Sequence, residues 1–143
     1  MKPIHILHVE DNEGDIMLIR DSILDSGIAH TLDIVRDGYE ALQFLRKEDP
    51  YQHKGTPDLL LLDINMPNMN GHELLDNIKS DEKLRHLPVI MLTTSSSKSD
   101  ILKSYQKYSN CFLTKPNSAD ELDKMIQEVG KFWSTVAQLP SAR

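Results

Sequence analysis

Five short apolar runs punctuate the chain: Ile4–Val9, Leu32–Val35, Leu59–Leu62, Val89–Leu92 and Cys111–Leu113. Each is too short for a core helix and is bounded by polar or turn-forming residues, which predicts five strands. The segments between them carry apolar residues at helical spacing. Ile16, Ile19 and Ile23 share one face of a first helix that stops at Gly27, a natural left-handed C-cap. Ala41, Leu42 and Leu45 mark a second helix from Gly38 to Lys47. Leu74, Leu75 and Ile78 mark a third after Gly71, and a fourth is predicted from Ser99 to Lys107. Leu122, Met125, Ile126, Val129, Phe132, Trp133 and Val136 mark a fifth. Five strand–helix units in succession predict an α/β fold, a doubly wound parallel sheet with right-handed crossovers. The polar, proline-bounded stretch from Lys47 to Pro57 reads as a surface excursion.

Leu59–Leu62 does not alternate with polar residues, as suits a strand covered on both faces. It ends on Asp63, at the strand edge where open α/β sheets keep their ligand crevices. A bare Asp after an apolar run is most often a loop or cap residue. The other strand ends change that reading. Glu10-Asp11 follow the first strand, Thr93-Thr94-Ser95 the fourth and Lys115-Pro116 the fifth, all on one edge of a parallel sheet.

Two carboxylates about 4 Å apart repel by roughly 4 kcal/mol at an effective dielectric near 20. Such a cluster must hold a proton, spread apart or bind a cation. Glu10, Asp11 and Asp63 against Lys115 leave two negative charges, which one divalent cation neutralises. Oxygen donors favour Mg²⁺ over zinc. The histidines are scattered, and His5 and His8 read as packing or register residues. A metal beside a carboxylate, with a hydroxyl and an ammonium nearby, suits phosphoryl chemistry. Mg²⁺ and Lys115 would neutralise phosphoryl oxygens, Thr93 would donate to one of them, and Asp63 would be the nucleophile.

Bulk properties narrow the class. The 143 residues make one domain, and a net charge of -6 argues against a nucleic-acid or anionic-membrane partner. The single cysteine, Cys111, fits a reducing compartment. No apolar run approaches the ~20 residues of a membrane span. A cytoplasmic protein is expected.

Glu10-Asp11, Asp63 with Met66-Pro67 and Gly71, Thr93, and Lys115-Pro116 occur in an order that resembles the receiver domain of two-component response regulators. That resemblance implies a flavodoxin-like sheet of strand order 2-1-3-4-5 with five helices. It implies a receiver over residues 1–130, then a C-terminal helix extension and tail over 131–143, with no output domain. Asp63 matches the phosphoacceptor, Asp11 the direct acidic Mg²⁺ ligand and Glu10 the other acidic position. Asn65 matches the position whose backbone carbonyl completes the metal shell. Thr93 matches the switch hydroxyl, Lys115 the phosphate-binding lysine and Phe112 the switch aromatic. Ser95 and Asn65 occupy positions that tune the lifetime of the phosphorylated form. The implied partner is a sensor histidine kinase.

The 47–57 loop, the stretch from Ser104-Tyr105 to Lys115, and the tail with Phe132-Trp133 and Leu139-Pro140 resemble phytochrome-associated single-domain regulators. A phytochrome-type kinase and a homodimer through the last helix are then implied, with Phe132 and Trp133 left over for the interface. Three rival readings fit less well. A haloacid-dehalogenase-type phosphatase needs a second acid where this chain has Asn65. A flavin binder needs a glycine- and hydroxyl-rich phosphate loop where this chain has Glu10-Asp11-Asn12-Glu13. A degenerate receiver is expected to have lost an acidic, hydroxyl or lysine group, and none is missing.

Overall fold

The computed structural model describes residues 3–140; the end of the predicted tail, 141–143, lies outside the described residues. Its elements alternate as β1 (Ile4–Val9), α1 (Glu13–Asp25), β2 (His30–Val35), α2 (Gly38–Leu45) and β3 (Leu59–Leu62), then α3 (Gly71–Ser80), β4 (Val89–Thr93), α4 (Lys98–Gln106), β5 (Cys111–Thr114) and α5 (Ala119–Lys131). All strands are parallel, in the order β2-β1-β3-β4-β5. That is the order and element count implied by the receiver resemblance. Among the described residues, no helix is long and apolar enough to cross a membrane.

Each helix begins where a short polar side chain accepts a backbone N–H three residues on. Asn12, Asp37, Asn70, Ser97 and Ser118 hold Asp15, Glu40, Glu73, Asp100 and Glu121 in this way. Small differences from the sequence expectation concern element ends. α2 stops at Leu45 because Lys47 turns left-handed at φ 56°. β2 starts at His30, and β4 and β5 each gain a threonine.

The unalternating leucines of β3 are explained by two cores, one on each face. Leu60 and Leu62 join the side of α2 and α3, with Leu7, Val9 and Met91. Leu59 and Leu61 join the side of α1 and α5, with Ile6, Ile19, Ile90, Leu122 and Ile126. The 47–57 stretch is more than a surface excursion. Its Tyr51 ring lies 5.2 Å from that of Phe44, and its hydroxyl donates to Glu40. Lys54 pairs with Asp33 at 2.9 Å.

The last helix corrects one expectation. After Lys131 the chain continues as a π turn, Phe132–Val136. Trp133 extends the stripe of Leu122, Ile126 and Val129, so it packs against the α1–α5 core together with Leu139. Only Phe132 of the aromatic pair faces outward, at 48% exposure.

The loop after β3 depends on a close backbone approach. The N–H of Gly71 donates to the Ile64 carbonyl at 2.8 Å, and a Cβ at Gly71 would lie 2.2 Å from the Asp63 carbonyl oxygen. The glycine is therefore required by space, beyond its role in ending the loop. Gly71→Ala should cost about 1–3 kcal/mol through forced backbone displacement. Urea unfolding checks this; an unchanged midpoint would show that the loop yields freely.

Candidate functional site

Strand register delivers the site residues to one edge. β1 pairs with β3 so that Val9 opposes Leu62, and β4 with β5 so that Thr93 opposes Thr114. The ladders run one step further: Asp63 N–H donates to Val9 O at 3.1 Å, and Lys115 N–H to Thr93 O at 2.7 Å. Glu10, Asp63, Thr93 and Lys115 thus stand side by side because four strands end together.

Of these, Asp63 and Lys115 line a cleft of about 500 Å³ together with Asp11, Asn12, Glu13, Asp15, Asn65 and Thr94. Each of Glu10, Asp11 and Asp63 offers a carboxylate oxygen within 4.8 Å of the others, a grouping able to hold a metal ion. Asp11 is exposed while Glu10 is fully buried. The Asp63 carboxylate is asymmetric. Its Oδ1 accepts the Ile64 N–H at 2.8 Å, and its Oδ2 lies 3.7 Å from the Lys115 ammonium.

Lys115 is the hub of this cluster. Its Nζ donates to Glu10 Oε1 at 2.5 Å and to Asp15 Oδ2 at 2.9 Å. Burial by itself lowers the pKa of this ammonium, but the bond to Glu10, the charges of Asp63 and Glu10 and the bond to Asp15 outweigh it and raise the pKa overall. Glu10 is pushed up to about 8 by burial and by Asp63, against the opposing pull of Lys115. His8, buried beside them in β1, is held down to about 3, by burial first and then by Lys115. It is a neutral packing residue, as its sequence position suggested.

The other predicted residues are distributed around this hub. Thr93 is fully buried behind the cleft, and its Oγ1 accepts the Ser95 N–H at 3.4 Å. Its neighbour Thr94 lines the opening. Ser95 turns aside and donates its hydroxyl to Asp100, which also bonds His72 Nε2 at 3.0 Å. Ser95 and then His72 hold the Asp100 carboxyl below the usual carboxylate range. Phe112 packs against the α2–α3 core, and its N–H donates to the Tyr105 hydroxyl at 3.2 Å. Neither Phe112 nor Ser95 lines the cleft.

Asp15 is the residue that sequence reasoning missed. In the first turn of a helix an acidic residue is accounted for by the helix dipole, so nothing in the spacing marked it. With Asp15 included, four carboxyl groups surround one ammonium, and with Glu10 holding its proton two negative charges are in excess.

Residues 6–127 match the response regulator receiver domain family, and the chain belongs to that family. Response regulator Rcp1 of Synechocystis sp. is 40% identical over 140 residues, which cover 98% of this chain and 95% of that protein. Among solved structures, the phosphorylated cyanobacterial phytochrome response regulator RcpA is similar at 41% identity and a TM-score of 0.94, covering 97% of this chain and 99% of that one. The Mn²⁺-bound form of Rcp1 is similar at 40% identity and a TM-score of 0.92, covering 97% and 100%.

A carboxyl held up to about 8 must release its proton before it can bind a cation. Divalent-cation affinity should therefore rise with pH up to about 8, with proton release on binding near neutrality. Calorimetry in buffers of different ionisation enthalpy measures both. Affinity that is flat from pH 6 to 8 would contradict the protonated Glu10.

Proposed function

We propose that this protein is a phosphoacceptor switch of a two-component relay, taking a phosphoryl group from a histidine kinase onto Asp63. One observation carries the reading. Asp63 Oδ1 is held by a backbone N–H, while Oδ2 faces the cleft edge where Lys115 and the acidic cluster converge. The family membership and the phosphorylated state of RcpA support it.

Oδ2 is the attacking atom. As its bond to phosphorus forms, the donor's phosphorus–nitrogen bond breaks and its electron pair leaves with the imidazole. A divalent cation, Mg²⁺ in this reading, would supply charge neutralisation at the phosphoryl oxygens. Glu10, Asp11, Asp63 and the Asn65 backbone carbonyl would hold it. The all-oxygen donors fit such an ion, and Mn²⁺ in the Rcp1 structure supports a divalent metal in this family. Lys115 would bind a second phosphoryl oxygen as a charge-assisted donor. The Thr93 hydroxyl would leave Ser95 and turn to a third, drawing the β4–α4 loop with it. Phe112 would follow as the switch aromatic, while Ser95 and Asn65 would tune the lifetime. Reversal by hydrolysis returns the same protein, so this is a switch and not a turnover enzyme.

Signal output is by protein contact in the cytoplasm, from a receiver over residues 1–130 and an extension beyond it. A phytochrome-type kinase is the favoured donor, supported by the likeness to RcpA. Phe132, exposed at the end of α5, is the anchor of a homodimer contact; Trp133, turned to its own core, supports the helix end from within.

Three measurements test this. With Mg²⁺ and acetyl phosphate, wild type should gain one phosphoryl group and Asp63→Asn none, by intact mass. Thr93→Ala should still be labelled but lose its phosphorylation-dependent partner response; full labelling of Asp63→Asn overturns the assignment. In sedimentation, Phe132→Ala should shift dimer to monomer at micromolar concentration. An unchanged profile removes Phe132 from the interface.

A further inference from the structure

The Lys115 ammonium has three protons to donate. Two are directed at Glu10 and Asp15, at 2.5 and 2.9 Å, and Asp63 is left at 3.7 Å. Of these three carboxylates, Glu10 and Asp63 belong to the cluster that a metal ion would occupy, and Asp15 does not. Once those carboxylates are engaged by a cation, the remaining partner of the ammonium is Asp15.

The placement of Asp15 is built by the fold. Asn12 caps α1 by accepting the Asp15 N–H at 3.0 Å, which fixes the first turn against the end of β1. From there the carboxylate reaches across to Lys115, 100 residues later in the chain. Helix stabilisation needs only the charge in the first turn, and does not require this side chain to meet the β5 lysine.

We propose that Asp15 is a positioning residue that tethers the Lys115 ammonium away from Asp63 until a phosphoryl group competes for it. The proposal rests on the phosphoacceptor reading above and deepens it. A phosphoryl group entering the cleft must draw Lys115 off Asp15 before it gains that ammonium as a donor. Asp15 therefore restrains phosphoryl uptake.

Neutralising Asp15 at constant size should speed uptake. Acetyl phosphate labelling of Asp15→Asn at saturating Mg²⁺ should be roughly fivefold faster than wild type, the upper end for a partly exposed ion pair. The gain should vanish in a Lys115→Ala background, because a tether has no effect once the tethered group is gone. A helix-dipole role would persist in that background. A second readout needs no phosphorylation: in the Mg²⁺-loaded protein, the NMR signals of the Lys115 side-chain terminus should move on Asp15→Asn. A rate equal to wild type, the same gain without Lys115, or unmoved Lys115 signals each overturn the tether. Asp63→Asn controls separate the two claims. If they take up label, the phosphoacceptor reading fails; if they do not and Asp15→Asn behaves as wild type, only the tether fails.

Discussion

One buried ammonium organises this molecule. Lys115 lies at the end of β5, an edge strand, yet its side chain is almost wholly enclosed by carboxylates from β1, α1 and β3. A buried cation without partners is costly, and so are adjacent buried carboxylates. Each therefore depends on the other. The sheet exists in a form that lets four strands terminate together, and the hydrophobic layers on both faces hold that termination in register. The leucines of β3, buried on both sides, stiffen the strand whose end carries Asp63.

From that hub the site is connected outward. Thr93 lies directly behind it, bound to Ser95; Ser95 is bound to Asp100 at the start of α4; and Asp100 is bound to His72 at the start of α3. Any rotation of the Thr93 hydroxyl toward Asp63 breaks the first link of this chain. Hydrogen bonds of this kind join the chemical edge to the α4–β5 face, where Tyr105 already holds the backbone of Phe112. In the proposed switch, these bonds would give a local charge change its route to a surface.

Much of this was legible in the sequence, for identifiable reasons. Apolar runs of three to six residues and the 3.6-residue stripes located every strand and helix to within a few residues. The chemistry at the strand ends followed from topology, since parallel strands all end at one edge. Strand order did not follow from periodicity; the resemblance to receivers supplied it. Asp15 was hidden because its first-turn position already explained an acid, and only the three-dimensional approach of β5 to α1 gives it a partner. Tyr51 was hidden in a polar stretch whose composition says nothing about the Phe44 ring beneath it. Phe132 and Trp133 look equivalent because both are large and adjacent; the phase of the α5 stripe separates them, packing Trp133 partly against the core and leaving Phe132 exposed.

The structure of the protein loaded with Mg²⁺ and beryllofluoride, a phosphoryl mimic, tests the central claim most directly. The mimic should sit on Asp63 Oδ2, with Lys115 Nζ moved to within about 3 Å of its fluorines and the Thr93 hydroxyl turned to meet it. A mimic bound elsewhere, or an ammonium still bridging Glu10 and Asp15 beside an occupied Asp63, would contradict it.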